Sequence, residues 1–168
     1  GAVTYTVKAE NTDNAAIFTA GSDLTARTTT TAVSTWTPPD WTLDATPVLV
    51  DGPDVTNLVQ EVVNRGTWCG NNAMAFQLTA TSGTANRIAY SFDGGGGLQP
   101  VLNVSYTGGD SGCLNAMIEF RVNAEKNDGY EESDGDMRLG NDTLPLDRET
   151  IGARYELIPV KQGAQVLD

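Results

Sequence analysis

Hydrophobic and polar residues alternate along most of this chain, in short runs that polar turns separate. The first run, residues 3–9, reads Val-Thr-Tyr-Thr-Val-Lys-Ala. A period of two residues is typical of a strand that has one face in the core and the other in water. Similar runs predict further strands at residues 32–36, 47–50, 73–80, 86–92, 100–106, 117–123, 136–139, 150–158 and 165–167. The pattern therefore predicts an all-β chain.

One segment, residues 54–65, has a helical period instead. Pro53 and Asp54 stand where a helix start favours a fixed φ and an oxygen-bearing cap, and Gly66 is a helix stop. Apolar residues recur at the i, i+3, i+4, i+7 spacing that forms one stripe on a helix: Val55, Leu58, Val59 and Val62. A short helix laid across one end of a β-sandwich would bury this stripe.

The balance of charges excludes several functions. The chain has 22 acidic and 10 basic residues and no histidine, which gives a net charge of −12. Such a surface repels phosphates, so we expect no binding to nucleic acid. Without histidine, the usual general base and the usual zinc ligand are missing, so we expect no enzymatic activity. No apolar run is long enough to span a bilayer, so we expect no membrane insertion.

Acidic residues concentrate in one predicted loop, residues 127–142, which surrounds the short predicted strand at 136–139. Calcium takes six to eight oxygen ligands in flexible geometry, and several carboxylates on one loop could supply them. The spacing does not fit the twelve-residue calcium loop of helix-loop-helix proteins. A calcium site and a solvated acidic surface both stay open here. The candidate ligands are Asp128, Glu131, Glu132, Asp134, Asp136 and Asp142.

A second candidate for a metal site lies near the start of the chain. Glu10, Asp13 and Asn14 bring three oxygen-bearing side chains into one polar loop, and Asp93, beside four glycines, could add a further carboxylate. The alternative for Asp13 and Asn14 is a turn in which they bond to their own backbone.

Cysteine and tryptophan residues suggest two more features. Cys69 and Cys113 lie in Gly/Asn-rich turns, and a composition typical of extracellular proteins favours a disulfide between them over two free thiols. Trp41 and Trp68 are candidates for stacking on sugar rings. Both could instead pack at a corner or in the core, since Trp41 follows two prolines and Trp68 adjoins Cys69.

The chain contains one clear linker, the Thr-Gly-Gly-Asp-Ser-Gly stretch at residues 107–112. We therefore divide the chain into a main part, residues 1–107, a linker, residues 108–112, and a second part, residues 113–168. The strands of the second part either complete the same sandwich or begin a next repeat.

Four segments in order, residues 54–61, 71–73, 89–93 and 100–106, resemble the second half of a DNRLRE-type domain. These domains are jelly-roll modules, similar to carbohydrate-binding modules, of secreted and surface proteins. The chain departs from the family at Val62-Val63, where a Trp is common, and at Ser91-Phe92-Asp93, where Ser-Arg-Glu is common.

The order of the segments is permuted relative to the family. Residues 128–132, 154–157 and 162–166 resemble the first half of such a domain, although they come last here. The chain is then a circular permutation, a subunit that completes a neighbour, or a window across two repeats. The resemblance implies a jelly-roll sandwich with one short helix, structural calcium (Ca²⁺) and an extracellular or cell-surface location.

These observations lead to one expected function and one alternative. We expect a non-catalytic, calcium-stabilised structural module of a surface repeat protein or self-assembling filament. Its partners would be copies of itself or neighbouring repeats, joined by strand pairing at exposed edges. The alternative is a carbohydrate-binding or adhesive module that binds polysaccharide.

Overall fold

A computed structural model describes residues 2–19, 24–40, 49–68, 71–83, 87–94, 96–107, 116–146 and 150–167, with the backbone alone at 116–119. Within these ranges the chain is mostly antiparallel β-strand with one short helix, as the sequence predicts. In the same ranges, no helix has the length and apolar character that crossing a membrane requires.

The helix and strands follow in the order β1, β2, α1, β3 to β11. Helix α1 is Thr56–Val63. The strands are β1 Val3–Ala9, β2 Ser34–Trp36, β3 Asn72–Gly83, β4 Ile88–Tyr90, β5 Val101–Thr107, β6 Ala116–Arg121, β7 Asp128–Glu131, β8 Met137–Arg138, β9 Thr143–Pro145, β10 Thr150–Ile158 and β11 Gln165–Leu167.

Three antiparallel sheets are built from these strands. The largest has six strands in the order β2-β1-β3-β10-β7-β8, a second has three in the order β11-β5-β6, and β4 pairs with β9 alone. Strand β10 lies between β3 and β7, and β11 pairs with β5. Strands from before and after the glycine-rich stretch at residues 108–112 therefore belong to the same sheets.

The main hydrophobic core joins the six-stranded sheet, the three-stranded sheet and α1. It includes Phe76 of β3, Tyr155 of β10, Val104 of β5 and Val62 of α1, all buried. The rings of Phe76 and Tyr155 meet edge to face, with centroids 6.0 Å apart. Both parts of the chain thus bury apolar side chains in one interior.

The outer face of the six-stranded sheet is partly covered by the connection between β1 and β2. Phe18 and Leu24 of this connection are fully buried. They lie directly over Gly152 of β10, where an added Cβ would come within 2.7 Å of the Phe18 ring and 2.6 Å of Leu24. A glycine at this position is what lets the connection pack against the strand.

Several predicted elements have the predicted bounds. Strands β1, β10 and β11 agree with the predicted runs at 3–9, 150–158 and 165–167. The helix is shorter than the predicted 54–65, and its cap residue Val55 makes no side-chain bond. Instead, Asp54 accepts the Thr56 N–H at 2.8 Å, which lowers the pKa of Asp54.

One prediction is wrong. Residues 127–142 are not a loop around one strand: they include β7 as well as β8, which pair with each other, and β7 also pairs with β10. Asp128 and Glu131 at the two ends of β7 are buried. Because both are acidic, the alternation of apolar and polar residues does not predict this strand. The predicted strand at 47–50 lies partly outside the described residues, and residues 49–50 form no strand.

Candidate functional site

Glu131 fastens the β1–β2 connection to the six-stranded sheet. It is 6% exposed, and its two carboxylate oxygens accept the Thr25 N–H and the Thr25 Oγ1–H, both at 2.8 Å. A hydrogen bond to a charged acceptor contributes roughly 1.5–3 kcal/mol to stability. Glu131 therefore holds a connection in place, a role that its position in an acidic stretch does not indicate.

Asp128 lies inside the molecule and is 1% exposed. Its Oδ2 accepts the Phe92 N–H at 2.7 Å, which ties β7 to the connection between β4 and β5. Burial raises the pKa of Asp128 to about 6; the Phe92 bond opposes this shift, and the charge of Asp93 adds to it. Burial, with a smaller contribution from Asp128, also raises the pKa of the Tyr155 hydroxyl.

Of the remaining acidic residues of this stretch, all but Asp142 lie in the β7–β8 turn. Arg138 donates from Nε and Nη2 to Glu132 Oε2 at 3.0 and 2.7 Å, and these bonds raise the pKa of Arg138. The Asp136 N–H bonds to Asp134 Oδ1 at 3.1 Å. Beside the turn is an open depression of about 370 Å³, lined by Thr25, Glu131, Glu132, Ser133, Asp134, Gly135 and Thr150.

Asp142 and Asp93 lie in or beside two backbone segments that contact each other. The Ser91 N–H donates to the Asp142 carbonyl at 3.1 Å, and the Ser91 hydroxyl donates to the Asn141 carbonyl. Asp142 and Asp93 are both exposed. The contact joins the segment after β4 to the segment before β9 through backbone carbonyls rather than carboxylates.

The candidate ligands near the start of the chain are also bound to protein groups. Glu10 forms an ion pair with Arg27 at 2.7 Å, and Asn14 Oδ1 accepts the Ala73 N–H at 2.9 Å. Asp13 accepts from Arg65 Nε at 2.6 Å and from the Thr67 hydroxyl, and these bonds lower the pKa of Asp13. Asp13 and Asn14 join the β1–β2 connection to its neighbours, whereas Glu10 pairs with Arg27 within this connection.

The predicted calcium site can be compared with these contacts. A protein calcium site needs several oxygens directed at one point. Among the residues that the structure describes, no group of three or more acidic or cysteine side chains could hold a metal ion. Calcium binding stays a prediction from sequence.

Of the predicted sugar-stacking and disulfide residues, the structure describes only Trp68. Trp68 is 1% exposed, lies in the main core, and donates from Nε1 to the Val160 carbonyl at 2.7 Å. In this structure it has no ring face available to a sugar. Trp41, Cys69 and Cys113 lie outside the described residues.

Sequence reasoning missed the polar residues in the middle of α1, which close two strand edges. Gln60 donates to the Ala164 carbonyl at 2.8 Å and accepts the Val166 N–H at 2.7 Å. The next residue, Glu61, accepts the N–H groups of Thr31 and Ala32, each at 2.8 Å. The only signal in the sequence is that Gln60 and Glu61 flank the apolar stripe of the helix.

Sequence reasoning also missed a buried arginine. Arg154 of β10 is 8% exposed and donates to the Ala15 carbonyl at 2.7 Å, to Asn127 Oδ1 at 2.5 Å and to Glu156 Oε1 at 2.6 Å. Because a buried guanidinium is costly without partners, these bonds explain why the charge is tolerated. Arg154 connects the outer face of β10 with two neighbouring connections.

Comparisons with protein-family models, with curated proteins and with solved structures find no match to this chain. Its function must therefore be argued from its own geometry.

Proposed function

We propose that this chain is a non-catalytic structural module of an extracellular surface protein or self-assembling filament, with its strands in a jelly-roll type of sandwich. The proposal rests on one observation: several of the ionic side chains that sequence marks as candidate ligands bind other parts of the same chain. Glu131 holds Thr25, Asp128 holds Phe92, and Asp13 holds Arg65.

These contacts hold the connections between strands in place. Two of them join the β1–β2 connection to groups far away in sequence, with separations of 106 residues for Thr25–Glu131 and 52 for Arg65–Asp13. The third joins β7 to the connection between β4 and β5. Contacts of this kind restrict local opening of the connections, and such restriction is what a load-bearing or protease-exposed module requires. Glu131 and Glu132 also line the open depression beside the β7–β8 turn, but Glu131 directs both of its carboxylate oxygens to Thr25.

Calcium binding and sugar binding have less support than the structural role. Glu131, Asp128 and Asp13 bind protein donors, whereas Asp93 and Asp142 are exposed, and calcium binding stays a prediction from sequence. The carbohydrate-binding alternative depended on Trp41 and Trp68, and Trp68 is buried. Trp41 alone supports that alternative.

The test is retention of the purified chain on a panel of insoluble polysaccharides, namely cellulose, chitin and xylan. We expect no retention, and the same result for Trp41→Ala. Retention that Trp41→Ala abolishes would overturn the structural proposal in favour of a carbohydrate-binding module. In the producing organism, we expect proteases added to intact cells to reach the chain, and full protection by intact cells would contradict an extracellular location.

A further inference from the structure

A polar depression lies on the outer face of the six-stranded sheet, beside the connection between β1 and β2. It is open to solvent and has a volume of about 350 Å³. Strands β1 and β3 contribute five of its lining residues, and the connection contributes Thr25, Arg27 and Thr29. The depression therefore lies where a strand pair and a loop meet.

The charge of this depression is opposite to that of the whole chain. The chain has 22 acidic and 10 basic residues, yet the two charged residues that line the depression, Lys8 and Arg27, are both basic. The depression beside the β7–β8 turn has the reverse lining, with Glu131, Glu132 and Asp134. An anion is therefore better accommodated beside Lys8 than beside the turn.

Arg27 is already committed to the protein. Its Nη1 donates to Glu10 Oε2 at 2.7 Å and to the Ala16 carbonyl at 2.9 Å, and its Nη2 donates to the Ile17 carbonyl at 2.9 Å. The guanidinium also lies 4.7 Å from the centroid of the Phe18 ring. Because Glu10 neutralises it, Arg27 forms part of the wall of the depression rather than its ligand.

Lys8 supplies the uncommitted positive charge. It lies opposite Gln77 in the pairing of β1 with β3. Residues that face each other in an antiparallel pair have Cβ atoms about 4.5–5.5 Å apart, so these two side chains lie side by side. Within the described part of the chain, the Lys8 side chain has no hydrogen bond or ion pair.

Gln77 supplies a free acceptor next to this charge. It is 8% exposed, and its Nε2 donates to the Leu24 carbonyl at 2.6 Å. Its Oε1 accepts no hydrogen bond from the described residues, although the side chain lines the depression. The hydroxyls of Thr6 and Thr29, which also line it, are likewise unbonded to those residues. A largely buried side chain with an unpaired acceptor is stabilised when a ligand donates to it.

We infer that this depression binds a sugar unit that carries one oxyanion. The Lys8 ammonium, which has three donors and no acceptor, bonds to the oxyanion, and Gln77 Oε1 accepts from a neighbouring sugar hydroxyl. The hydroxyls of Thr6 and Thr29 can donate or accept. A carboxylate and a sulfate ester share this chemistry. The inference goes beyond the proposed structural function, since it gives the module a ligand.

The size and charge of the depression limit what it can bind. Ligand sites in proteins have volumes of about 300–1,000 Å³, and this depression is at the low end, which suits a single sugar unit. One free ammonium matches one negative charge, and the net charge of −12 opposes a dense polyanion. In an open site of this kind we expect a Kd of about 1 mM.

Titration of the purified chain with glucuronate and with glucose 6-sulfate, followed by amide chemical shifts in NMR spectra, tests this inference. We expect saturable shifts at Thr6, Lys8, Gln77 and Thr79 with at least one of the two sugars, and the tighter binder identifies the oxyanion. Glucose lacks the charge and acetate lacks the hydroxyls, so each should bind about tenfold more weakly or less.

Three variants locate the site. Lys8→Met keeps the apolar stem without the ammonium and should weaken binding of the charged sugar about tenfold. The matched control is Lys126→Met, since the Lys126 side chain is exposed and has no partner in the described part of the chain. Thr29→Val removes one hydroxyl at constant shape and should weaken binding of the charged sugar while leaving that of acetate unchanged.

Three results would overturn the inference: no saturable shift with either charged sugar, acetate binding as tightly as glucuronate, or binding that Lys8→Met leaves intact. Each can be told apart from failure of the proposed function, which is tested with neutral polysaccharides and Trp41→Ala. Loss of the Lys8 site leaves that function standing. Retention on cellulose, chitin or xylan that depends on Trp41 overturns the function alone.

Discussion

The side-chain amide of Gln60 accepts the Val166 N–H at 2.7 Å and so substitutes for a missing neighbour strand on the outer side of β11. Its Nε2 completes the arrangement by donating to the Ala164 carbonyl. The two bonds join residues 106 and 104 positions apart and fix the last strand against the helix.

Replacing Gln60 by alanine should destabilise the fold. The change leaves the Val166 N–H and the Ala164 carbonyl without their partner, and each orphaned buried group costs about 1–3 kcal/mol. We therefore expect the free energy of unfolding, measured by urea denaturation, to fall by about 2 kcal/mol or more. The control is Gln165→Ala, since the Gln165 side chain is exposed. Equal losses for the two variants would contradict the edge-closing role of Gln60.

The buried carboxyl of Asp128 should make stability depend on pH in an unusual direction. Its pKa rises from 3.8 to about 6 on folding, so the protonated carboxyl favours the folded state. This contribution is complete below pH 4 and is lost as the pH rises through 6. A shift of about two pKa units corresponds to about 3 kcal/mol.

Asp128→Asn should remove that penalty while its amide oxygen still accepts the Phe92 N–H. We expect the variant to be more stable than the wild-type chain at pH 7.5 and about equally stable at pH 4, by denaturant titration at both values. The difference between the two proteins isolates Asp128 from the other carboxylates. A variant that is less stable at pH 7.5 would show that the charge itself is needed there.

Leu157 should be replaceable with a gain in stability. It has a φ of +56° at the irregularity in β10 and is 69% exposed. A left-handed conformation costs a residue with a Cβ roughly 1–2 kcal/mol, and Asn tolerates it better than Leu. We expect Leu157→Asn to raise the free energy of unfolding by about 0.5–1 kcal/mol.

The matched control is Leu49→Asn, because Leu49 is even more exposed, at 94%, and has no positive φ. It should leave stability unchanged. If Leu157→Asn gives no gain, the strain at this position is offset by contacts of the leucine side chain.

Removal of calcium with a chelator distinguishes a calcium site from a solvated acidic surface. Because Glu131, Asp128 and Asp13 already bind protein donors, we expect the melting temperature to be the same in 5 mM EDTA and in excess Ca²⁺, within about 1 °C. A specific site with calcium at 100 times its Kd would instead add about 2.7 kcal/mol to stability, which is a shift of several degrees. A shift of that size would support the sequence-based calcium prediction, and loss of the shift in Asp134→Asn/Asp136→Asn would locate the site.

The extent to which the sequence predicts this fold depends on how each strand is buried. β1 and β10 could be predicted because Tyr5, Val7 and Ile151 alternate with polar or small residues. β7 could not, because its buried residues Asp128 and Glu131 are carboxylates on opposite faces of the sheet. Gly129 is needed where the Arg138 carbonyl and Leu139 lie within 2.7 Å of a Cβ position. Period-two rules assume that buried means apolar, and this strand breaks the assumption.

The roles of the candidate site residues were beyond prediction for a different reason. A carboxylate in a polar stretch has the same local sequence whether it binds an ion or a distant backbone group. The partner of Glu131 lies 106 residues away at Thr25, and the partner of the Trp68 indole lies 92 residues away at Val160. Only the sheet order brings these groups together, and no local pattern encodes it.

The position of β10 has a consequence for how the protein is made. Thr150 pairs with Thr79, 71 residues earlier, and the strand occupies the middle of the largest sheet. On the ribosome, β1 and β3 therefore emerge long before the segment that separates β3 from β7 exists. Closing so large a loop is entropically costly and slows folding. The six-stranded sheet can therefore be completed only after β10 has left the ribosome, and β3 lacks its native partner on that side until then.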